Sequence, residues 1–220
     1  MIEGAYKADR AAALSGVPLS TVRYWANHGI LVPSVSPVRV KFWSYADLMG
    51  LRVIAWLRHD KKYPSGVKVS AASMPTVRQA LKQLAELDMS LWTEQSGPTV
   101  EVDRAGRIYI TAEPNSEAPH RQRAIDGVNE TFTLSGEFSL LGGINGPDLH
   151  KPRPSLRIVP GKLGGSPHIV DTRLESQALG SLADQGVPRD RIYRLYREVE
   201  SNKIDEAIDL EKQFAASQAA

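Results

Sequence analysis

Polar and basic side chains are concentrated in a short stretch near the start of the chain, residues 19–29. Hydroxyl, amide, imidazole and guanidinium groups can bond to phosphate oxygens or to the edges of bases. The residues that carry such groups here are Ser20, Thr21, Arg23, Tyr24, Asn27 and His28. Two basic residues that follow, Arg39 and Lys41, alternate with valines and can bind phosphates. This pattern predicts contact with nucleic acid.

These side chains require a rigid element to present them, and the local sequence predicts two helices joined by a sharp corner. Residues 7–15 are rich in alanine and prone to form a helix. The connection, residues 16–18, is too short for anything except a helix-helix corner. In the second helix Ser20 is the expected N-cap, and Val22 and Ala26 share one apolar face. The polar groups lie off that face, so the pattern predicts a helix-turn-helix.

The segment after this corner predicts a small hairpin followed by a helix. Apolar and basic residues alternate over residues 38–42, which favours a hairpin with one basic face. Ser44 and Asp47 then form a capping-box-like start, with aspartate in place of the usual glutamate or glutamine. We expect the helix that begins there to end near Lys62.

A further helix and a β-hairpin are predicted before the middle of the chain. Ser73 precedes Pro75, and proline in the first turn of a helix costs nothing because its missing N–H has no intrahelical partner there. The apolar spacing of this helix stops around Leu91. A period of two then predicts a hairpin from residues 99–103 and 107–111. Residues 130–134 and 137–141 also have strand character, within a stretch rich in Gly and Pro that we interpret as a β-containing connector.

Three separated blocks of the N-terminal part, residues 12–25, 29–31 and 42–48, resemble the winged-helix head of MerR-type regulators. The resemblance implies a function in transcription regulation, with double-stranded operator DNA as a partner. It also implies that the helix beginning at Ser20 enters the major groove. The segment from Val32 to Phe42 would form a wing against the DNA backbone.

The C-terminal part predicts a small helical domain that begins with two short extended segments, residues 155–159 and 168–170. Its predicted helices are residues 176–185, 189 to about 199 and 203 to about 214. We divide the chain into a DNA-binding head (1–95), a β-rich connector (96–154), a helical domain (155–214) and a flexible tail (215–220). The expected fold class is therefore α+β.

Residues 156–174, with the helix, Gly-Val-Pro turn and further helices that follow, are similar to a family of domains of unknown function grouped with VapB-type antitoxins. Joined to a MerR-like head, such a domain resembles a non-standard VapB-type antitoxin. The resemblance implies one half of a type II toxin-antitoxin pair that represses its own operon. The implied partner is a VapC-type PIN-domain ribonuclease, whose active site is a carboxylate cluster that holds Mg²⁺.

Four arginines lie on one short predicted helix of this domain: Arg189, Arg191, Arg194 and Arg197. One interpretation is an ordinary solvated basic face. The other is a contact surface for an acidic partner, because guanidinium groups pair bidentately with carboxylates. Under the antitoxin hypothesis this helix is the expected toxin-binding element.

The distribution of charge favours a homodimer on DNA. Residues 1–95 hold twelve Lys and Arg against seven Asp and Glu, an excess of +5, whereas residues 96–154 carry −2 and residues 155–220 carry −1. One short recognition helix with this modest excess needs a second copy to bind two half-sites tightly. Because the helical pattern ends near Leu91, short of a long dimer helix, we expect the dimer interface within residues 155–214.

Residue types and spacing disfavour an enzyme, a cofactor or a metal site. The chain has no cysteine, and its five histidines show no helical pair spacing that would bind a metal. Residues 161–166 lack the spacing of a phosphate loop and are better interpreted as a structural turn. Trp25, Trp43 and Trp56 fit core packing better than an aromatic ligand cage.

We expect a cytoplasmic protein without a membrane-spanning segment, because no apolar run approaches the length that crosses a bilayer and no signal pattern is present. The alternative to an antitoxin is a stand-alone regulator that senses a small ligand through the β-rich middle. A toxin-coding neighbour and copurification with its product would separate the two.

Overall fold

The computed structural model describes residues 3–62, 68–111, 131–139 and 145–219, and in these residues the predicted α+β class is confirmed. The helices are α1 (Ala8–Ser15), α2 (Leu19–Asn27), α3 (Tyr45–Arg58), α4 (Met74–Ala85), α5 (Ser176–Asp184), α6 (Arg189–Leu195) and α7 (Ser201–Ala219). The strands are β1 (Lys61–Lys62), β2 (Lys68–Val69), β3 (Thr99–Asp103), β4 (Ile108–Thr111), β5 (Thr131–Thr133), β6 (Leu156–Arg157) and β7 (His168–Ile169). No helix of the described residues is both long and apolar enough to cross a membrane.

The predicted corner between α1 and α2 is confirmed, and Gly16 makes it. Gly16 has a φ of 71°, and its N–H donates to the carbonyl of Ala12 at the end of α1. A Cβ at this position would come within 2.7 Å of the backbone nitrogen of Gly146, so a larger residue would displace a neighbouring segment. The prediction that Ser20 caps α2 is wrong. Pro18 is the N-cap, because its carbonyl already accepts the N–H of Val22 at 2.9 Å.

The predicted start of α3 is confirmed and its predicted end is wrong. Ser44 Oγ accepts the N–H of Asp47 at 3.1 Å, and the Asp47 carboxylate accepts the N–H of Ser44 at 2.8 Å, which completes the capping box. The helix ends at Arg58 instead of near Lys62. The chain then extends into β1, and the Arg58 guanidinium donates to the carbonyl of Ala72 as the chain returns past the helix end.

Helix α4 begins as predicted but ends earlier. Ser73 is its N-cap and accepts the N–H of Thr76, and proline occupies the first turn. The helix stops at Ala85, whereas the sequence predicts an end around Leu91. Residues 89–91 instead form one turn of 3-10 helix, because the Asp88 carboxylate caps the N–H of Ser90.

A three-stranded antiparallel sheet with the order β4-β3-β5 lies in the middle of the chain. The predicted hairpin of β3 and β4 is confirmed, with Thr99 opposite Thr111. The predicted strand at residues 130–134 is confirmed as β5, where Phe132 lies opposite Val102. The predicted strand at 137–141 is reduced to one bridge between Phe138 and Gly146, and residues 140–144 lie outside the described ranges.

In the C-terminal part, short strands β6 and β7 pair and helices α5, α6 and α7 follow in the predicted order. Helix α6 ends at Leu195, four residues before its predicted end, since residues 196–198 form a turn. The predicted end of the last helix near residue 214 is wrong, because α7 continues to Ala219. Phe214 is buried, and Ser217 Oγ donates to the carbonyl of Phe214.

The N-terminal and C-terminal parts of the chain share one hydrophobic core. The hydroxyl of Tyr6, which precedes α1, donates to the carbonyl of Gly165 at 2.8 Å. The guanidinium of Arg10 on α1 forms two hydrogen bonds of 2.6 and 2.7 Å to the carboxylate of Glu211 on α7, and it lies over the ring of Phe214. The domain boundaries remain predictions, and the parts that they separate are in direct contact.

Arg52 on α3 is fully buried and joins three parts of the fold. Its guanidinium donates five hydrogen bonds, to the carbonyls of Leu14, Ser15, Leu134, Gly136 and Pro147. Burial lowers the pKa of Arg52 to about 9, against the charges of Tyr45 and Asp148, which raise it. The side chain therefore stays protonated at neutral pH and holds the C-terminus of α1 against the middle of the chain.

A second polar link is formed by the carboxylate of Glu94, which lies between α4 and β3. It accepts hydrogen bonds from the ammonium group of Lys162 and from Nε2 of His168, the latter at 2.7 Å. Burial would raise the pKa of Glu94, but the hydrogen bonds and charges of these two partners lower it below 4.5. His168 is completely buried. Because Lys162 and His168 belong to the C-terminal part, their bonds to Glu94 tie the end of the head to that part.

We expect Arg52→Met to destabilise the fold by about 3–5 kcal/mol, because it leaves five carbonyls without their donor in a site closed to water. Urea denaturation followed by circular dichroism measures this. Arg58→Met is the matched control on the same helix, since Arg58 is exposed and donates one hydrogen bond. The control should cost less than about 1 kcal/mol. Equal costs for both variants would contradict the role of Arg52.

Glu94 should make the stability depend on acidity. Because the pKa of Glu94 is lower in the folded state than 4.5, its ionised form stabilises the protein above that value, and this contribution is lost as the pH falls through the folded pKa. We expect the urea midpoint of the wild type to fall below pH 4.5 more steeply than that of Glu94→Gln. Parallel curves for the two proteins between pH 3 and pH 7 would contradict this.

Candidate nucleic-acid interface

Helix α2 presents the predicted contact residues on its outer side. Val22 is completely buried against the corner, whereas the opposite face of the helix is open to solvent. The exposed residues are Ser20, Arg23, Tyr24, Asn27 and His28, and Thr21 is half-buried at the edge of the face. The structure therefore brings together hydroxyl, guanidinium, amide and imidazole groups on one accessible surface, which can meet phosphates and base edges.

Two aromatic residues of this surface hold each other in place. The rings of Tyr24 and His28 stack with their centroids 4.0 Å apart. Nδ1 of His28 bonds to the carbonyl of Tyr24 at 2.8 Å, which closes the end of α2. Because a carbonyl can only accept, Nδ1 is the nitrogen that carries the proton in this bond. Gly29, with a φ of 65°, then turns the chain away.

The segment after α2 forms a loop that we call the wing loop, residues 33–42. The predicted hairpin is present only in part, because one pair of hydrogen bonds, between Ser36 and Phe42, closes the loop and no regular strand forms. The valines that alternate with its basic residues do not pack inward, since Val38 and Val40 are 70% and 53% exposed. The basic residue between them, Arg39, is exposed as well. The valines do not pack because the loop lies at the edge of the core.

Lys41 joins the wing loop to the recognition helix. Its ammonium group donates to the side-chain amide oxygen of Asn27, near the end of α2. The wing loop is also anchored at its base, where Ser34 donates through its N–H and its hydroxyl to the carboxylate of Asp47, both at 2.8 Å. The predicted contact residues of α2 and of the wing loop therefore lie on one continuous surface. A domain that contacts both a DNA groove and the adjacent phosphate backbone requires such a surface.

Three basic residues of the head lie on α2 and the wing loop. One of its twelve basic residues, Arg52, is buried and bonded to carbonyls, so it cannot contact a ligand. Arg23 and Arg39 are exposed and Lys41 is half-buried, and all three lie on α2 or on the wing loop. These three positive charges can pair with the phosphates of a polyanion.

Residues 6–69 match the family model described as MerR HTH family regulatory protein. The chain has a MerR-type helix-turn-helix at its N-terminus. The matched range includes α1, α2, the wing loop and α3, which are the elements that build the surface described above. The description of this family indicates a DNA-binding regulator.

Residues 157–209 match a second family model, described as a protein of unknown function, DUF433. This range runs from β6 into α7 and confirms that the C-terminal part of the chain carries a separate family domain. Comparison with curated proteins and with solved structures found no significant match. These comparisons therefore assign no function to the C-terminal part.

The four arginines of α6 and its following turn are not equivalent. Arg189 bonds to Asp205 and Asp209 of α7, so its guanidinium is already held within the chain. Arg191, Arg194 and Arg197 are exposed. Two carboxylates of the neighbouring helix take the donors of Arg189, which sets it apart from the other three, and the role of all four in toxin binding stays a prediction. Arg197 lies in the turn after α6.

Proposed function

We propose that this protein is a transcription regulator that binds operator DNA, with α2 in the major groove and the wing loop against the phosphate backbone. The observation that carries the proposal is the joined surface of α2 and the wing loop, in a domain that matches a regulatory helix-turn-helix family. Its polar groups suit base edges and its basic groups suit phosphates. A regulator of this kind works in the cytoplasm, where its operator lies.

A homodimer belongs to this proposal, because two half-sites in adjacent major grooves require two recognition helices. The proposed interface lies within residues 155–214. Residues on the outer side of this region suit the dimer interface better than the apolar residues of α7, because Ile204, Ile208 and Phe214 are already buried within the chain. Contacts between α1 and α7 also mean that dimer measurements require the full-length chain.

A finer hypothesis is that the regulator is the antitoxin of a VapBC-like type II pair, which represses its operon and neutralises a VapC-like PIN-domain ribonuclease. Its support is the similarity of residues 156–174 and the following helices to domains grouped with VapB-type antitoxins. The exposed arginines Arg191, Arg194 and Arg197 are suited to a carboxylate cluster. This partner remains a proposal.

A ligand-sensing regulator is the second candidate, and one cavity favours it. A cleft of about 480 Å³ lies between α1, the loop before β7, α5 and α7. Arg10, Glu175 and Glu211 contribute polar groups to it, and Phe214 contributes an apolar wall. It touches both family domains, so a bound molecule would contact the DNA-binding head and the C-terminal part together. The cleft lies outside the β-rich middle, where the sequence-based hypothesis places the ligand.

We predict that Lys41→Ala weakens binding to all DNA sequences and reduces the log-log salt slope by about one unit, because one phosphate contact is lost. Arg23→Ala should cost about 1–3 kcal/mol, mainly on the preferred sequence, if it bonds to a base. Fluorescence anisotropy with labelled duplexes at several salt concentrations measures both. Lys212→Ala, an exposed charge on α7, is the control. Wild-type affinity and slope in both head variants would contradict the proposal.

The antitoxin hypothesis predicts a stable complex with the product of an adjacent reading frame. On coexpression we expect the two chains to copurify through size-exclusion chromatography and the Mg²⁺-dependent RNA cleavage of the partner to be suppressed. Arg23→Ala should retain this complex, because DNA contact and neutralisation use different surfaces. An adjacent gene product that does not bind, or that has no ribonuclease activity, would favour the ligand-sensing regulator.

A further inference from the structure

The corner between α5 and α6 repeats the corner between α1 and α2. Gly16, Val17 and Pro18 of the first corner recur in the same order as Gly186, Val187 and Pro188 of the second. Both glycines adopt the left-handed conformation, with φ of 71° and 78°. The two prolines have nearly the same backbone angles, φ −52° and ψ 138° against φ −59° and ψ 141°, and each is the N-cap of the helix that follows.

The second helix of each pair rests on the first through an equivalent residue. Four residues after the proline, Val22 in α2 and Ile192 in α6 are both completely buried. In each case the N–H of this residue donates to the proline carbonyl, at 2.9 and 3.1 Å. Sequence, backbone and packing therefore agree that α5 and α6 form a helix-turn-helix of the same local design as the head.

Helix α7 lies against the first helix of each pair, α1 and α5, and contacts them at equivalent positions. At the same distance before each Gly-Val-Pro turn, α1 has Arg10 and α5 has Gly180. Arg10 donates to the Glu211 carboxylate, while a Cβ on Gly180 would come within 2.6 Å of the Cβ of Glu211. Ser176 of α5 also donates to this carboxylate. One residue of α7 thus joins the first helices of the two units.

Arginines occupy the outward positions of the second corner. The positions of Thr21, Tyr24 and Asn27 in the first unit correspond to Arg191, Arg194 and Arg197 in the second, and all three arginines are exposed. Two carboxylates, Asp190 and Glu198, share the stretch, and Arg189 is paired with α7. The three exposed arginines outnumber Asp190 and Glu198 by one, and their guanidinium groups suit phosphate oxygens.

We propose that α5 and α6 form a second helix-turn-helix and that Arg191, Arg194 and Arg197 bind the phosphate backbone of duplex DNA. Helix α6 has seven residues, whereas α2 has nine. The arginines of α6 and its turn are better suited to phosphates than to sequence-specific contacts with bases. One chain then contacts DNA through two units instead of one. This deepens the proposed regulatory function by assigning a second DNA-contacting surface. The alternative use of the same face, binding an acidic protein, is an outcome of the test.

The test measures binding of the full-length protein to a labelled 40-base-pair duplex of random sequence, at salt concentrations from 50 to 300 mM. The variant is Arg191→Ala, Arg194→Ala and Arg197→Ala combined. Its matched control, Lys151→Ala, Arg173→Ala and Lys212→Ala combined, removes three exposed positive charges elsewhere. A third variant changes Arg39 and Lys41 of the head to Ala. Replacing the three arginines of α6 and its turn by Lys keeps the charge, and circular dichroism verifies the fold of every variant.

We expect the α6 variant to bind roughly ten-fold or more weakly and to lose about two to three units of salt slope, at about 0.9 unit for each phosphate contact. The lysine replacement should restore most of the slope, and the control should change it by less than one unit. A wild-type slope in the α6 variant, or an equal loss in the control, overturns the second DNA-binding unit.

The failures of the two proposals are distinguishable. If the head variant loses slope while the α6 variant does not, the head still binds DNA and the second unit does not. If the α6 variant alone loses slope, the second unit stands and the proposed role of the wing loop falls. If the α6 variant keeps its DNA affinity but no longer suppresses a copurifying ribonuclease, the arginine face belongs to a protein partner and this inference is wrong.

Discussion

The buried guanidinium of Arg52 is the interaction on which the arrangement of the head depends. Burying a charged group away from water costs free energy unless each of its donors finds an acceptor. Here five carbonyls from three parts of the chain accept hydrogen bonds from the guanidinium. Two of them, Leu14 and Ser15, end α1 immediately before the Gly16 corner. The end of α1 is therefore held against α3 by a network that would be broken by moving either of these helices, and α2 follows from that end through the Gly16 corner. The recognition surface obtains its rigidity from residues that never touch a ligand.

Local signals predicted the elements of the head well, because their causes are local. The capping box of Ser44 and Asp47 and the proline after Ser73 each satisfy free N–H groups within one turn, and both starts are confirmed. Helix ends were predicted less well, since they depend on what the chain meets next. The chain returns past Arg58 where α3 ends, and α7 continues beyond residue 214, where Phe214 packs into the core. Neither contact is visible in a window of sequence.

The candidate site shows the same division. The outward residues of α2 follow from the apolar spacing of Val22 and Ala26. The hydroxyl of Ser20, the usual signal, predicts the wrong N-cap, because Pro18 starts the helix through its backbone. Pairing of Arg189 with α7 needs the tertiary structure, since Asp205 and Asp209 are on another helix. The repeated Gly-Val-Pro turn, in contrast, is visible in the sequence alone, at residues 16–18 and 186–188, because its cause is local.

The bond between Arg10 and Glu211 also bears on how the protein is made. A ribosome delivers α1 early and α7 late, and the partner that neutralises Arg10 reaches it only after α7 has been synthesised. Contacts so distant along the chain form slowly, because a long loop must close before they contribute. The nascent head is therefore left with an open flank where α7 will pack. Only in a completed chain is this flank covered and the charge of Arg10 paired, so the finished state of the head depends on the last helix to be synthesised.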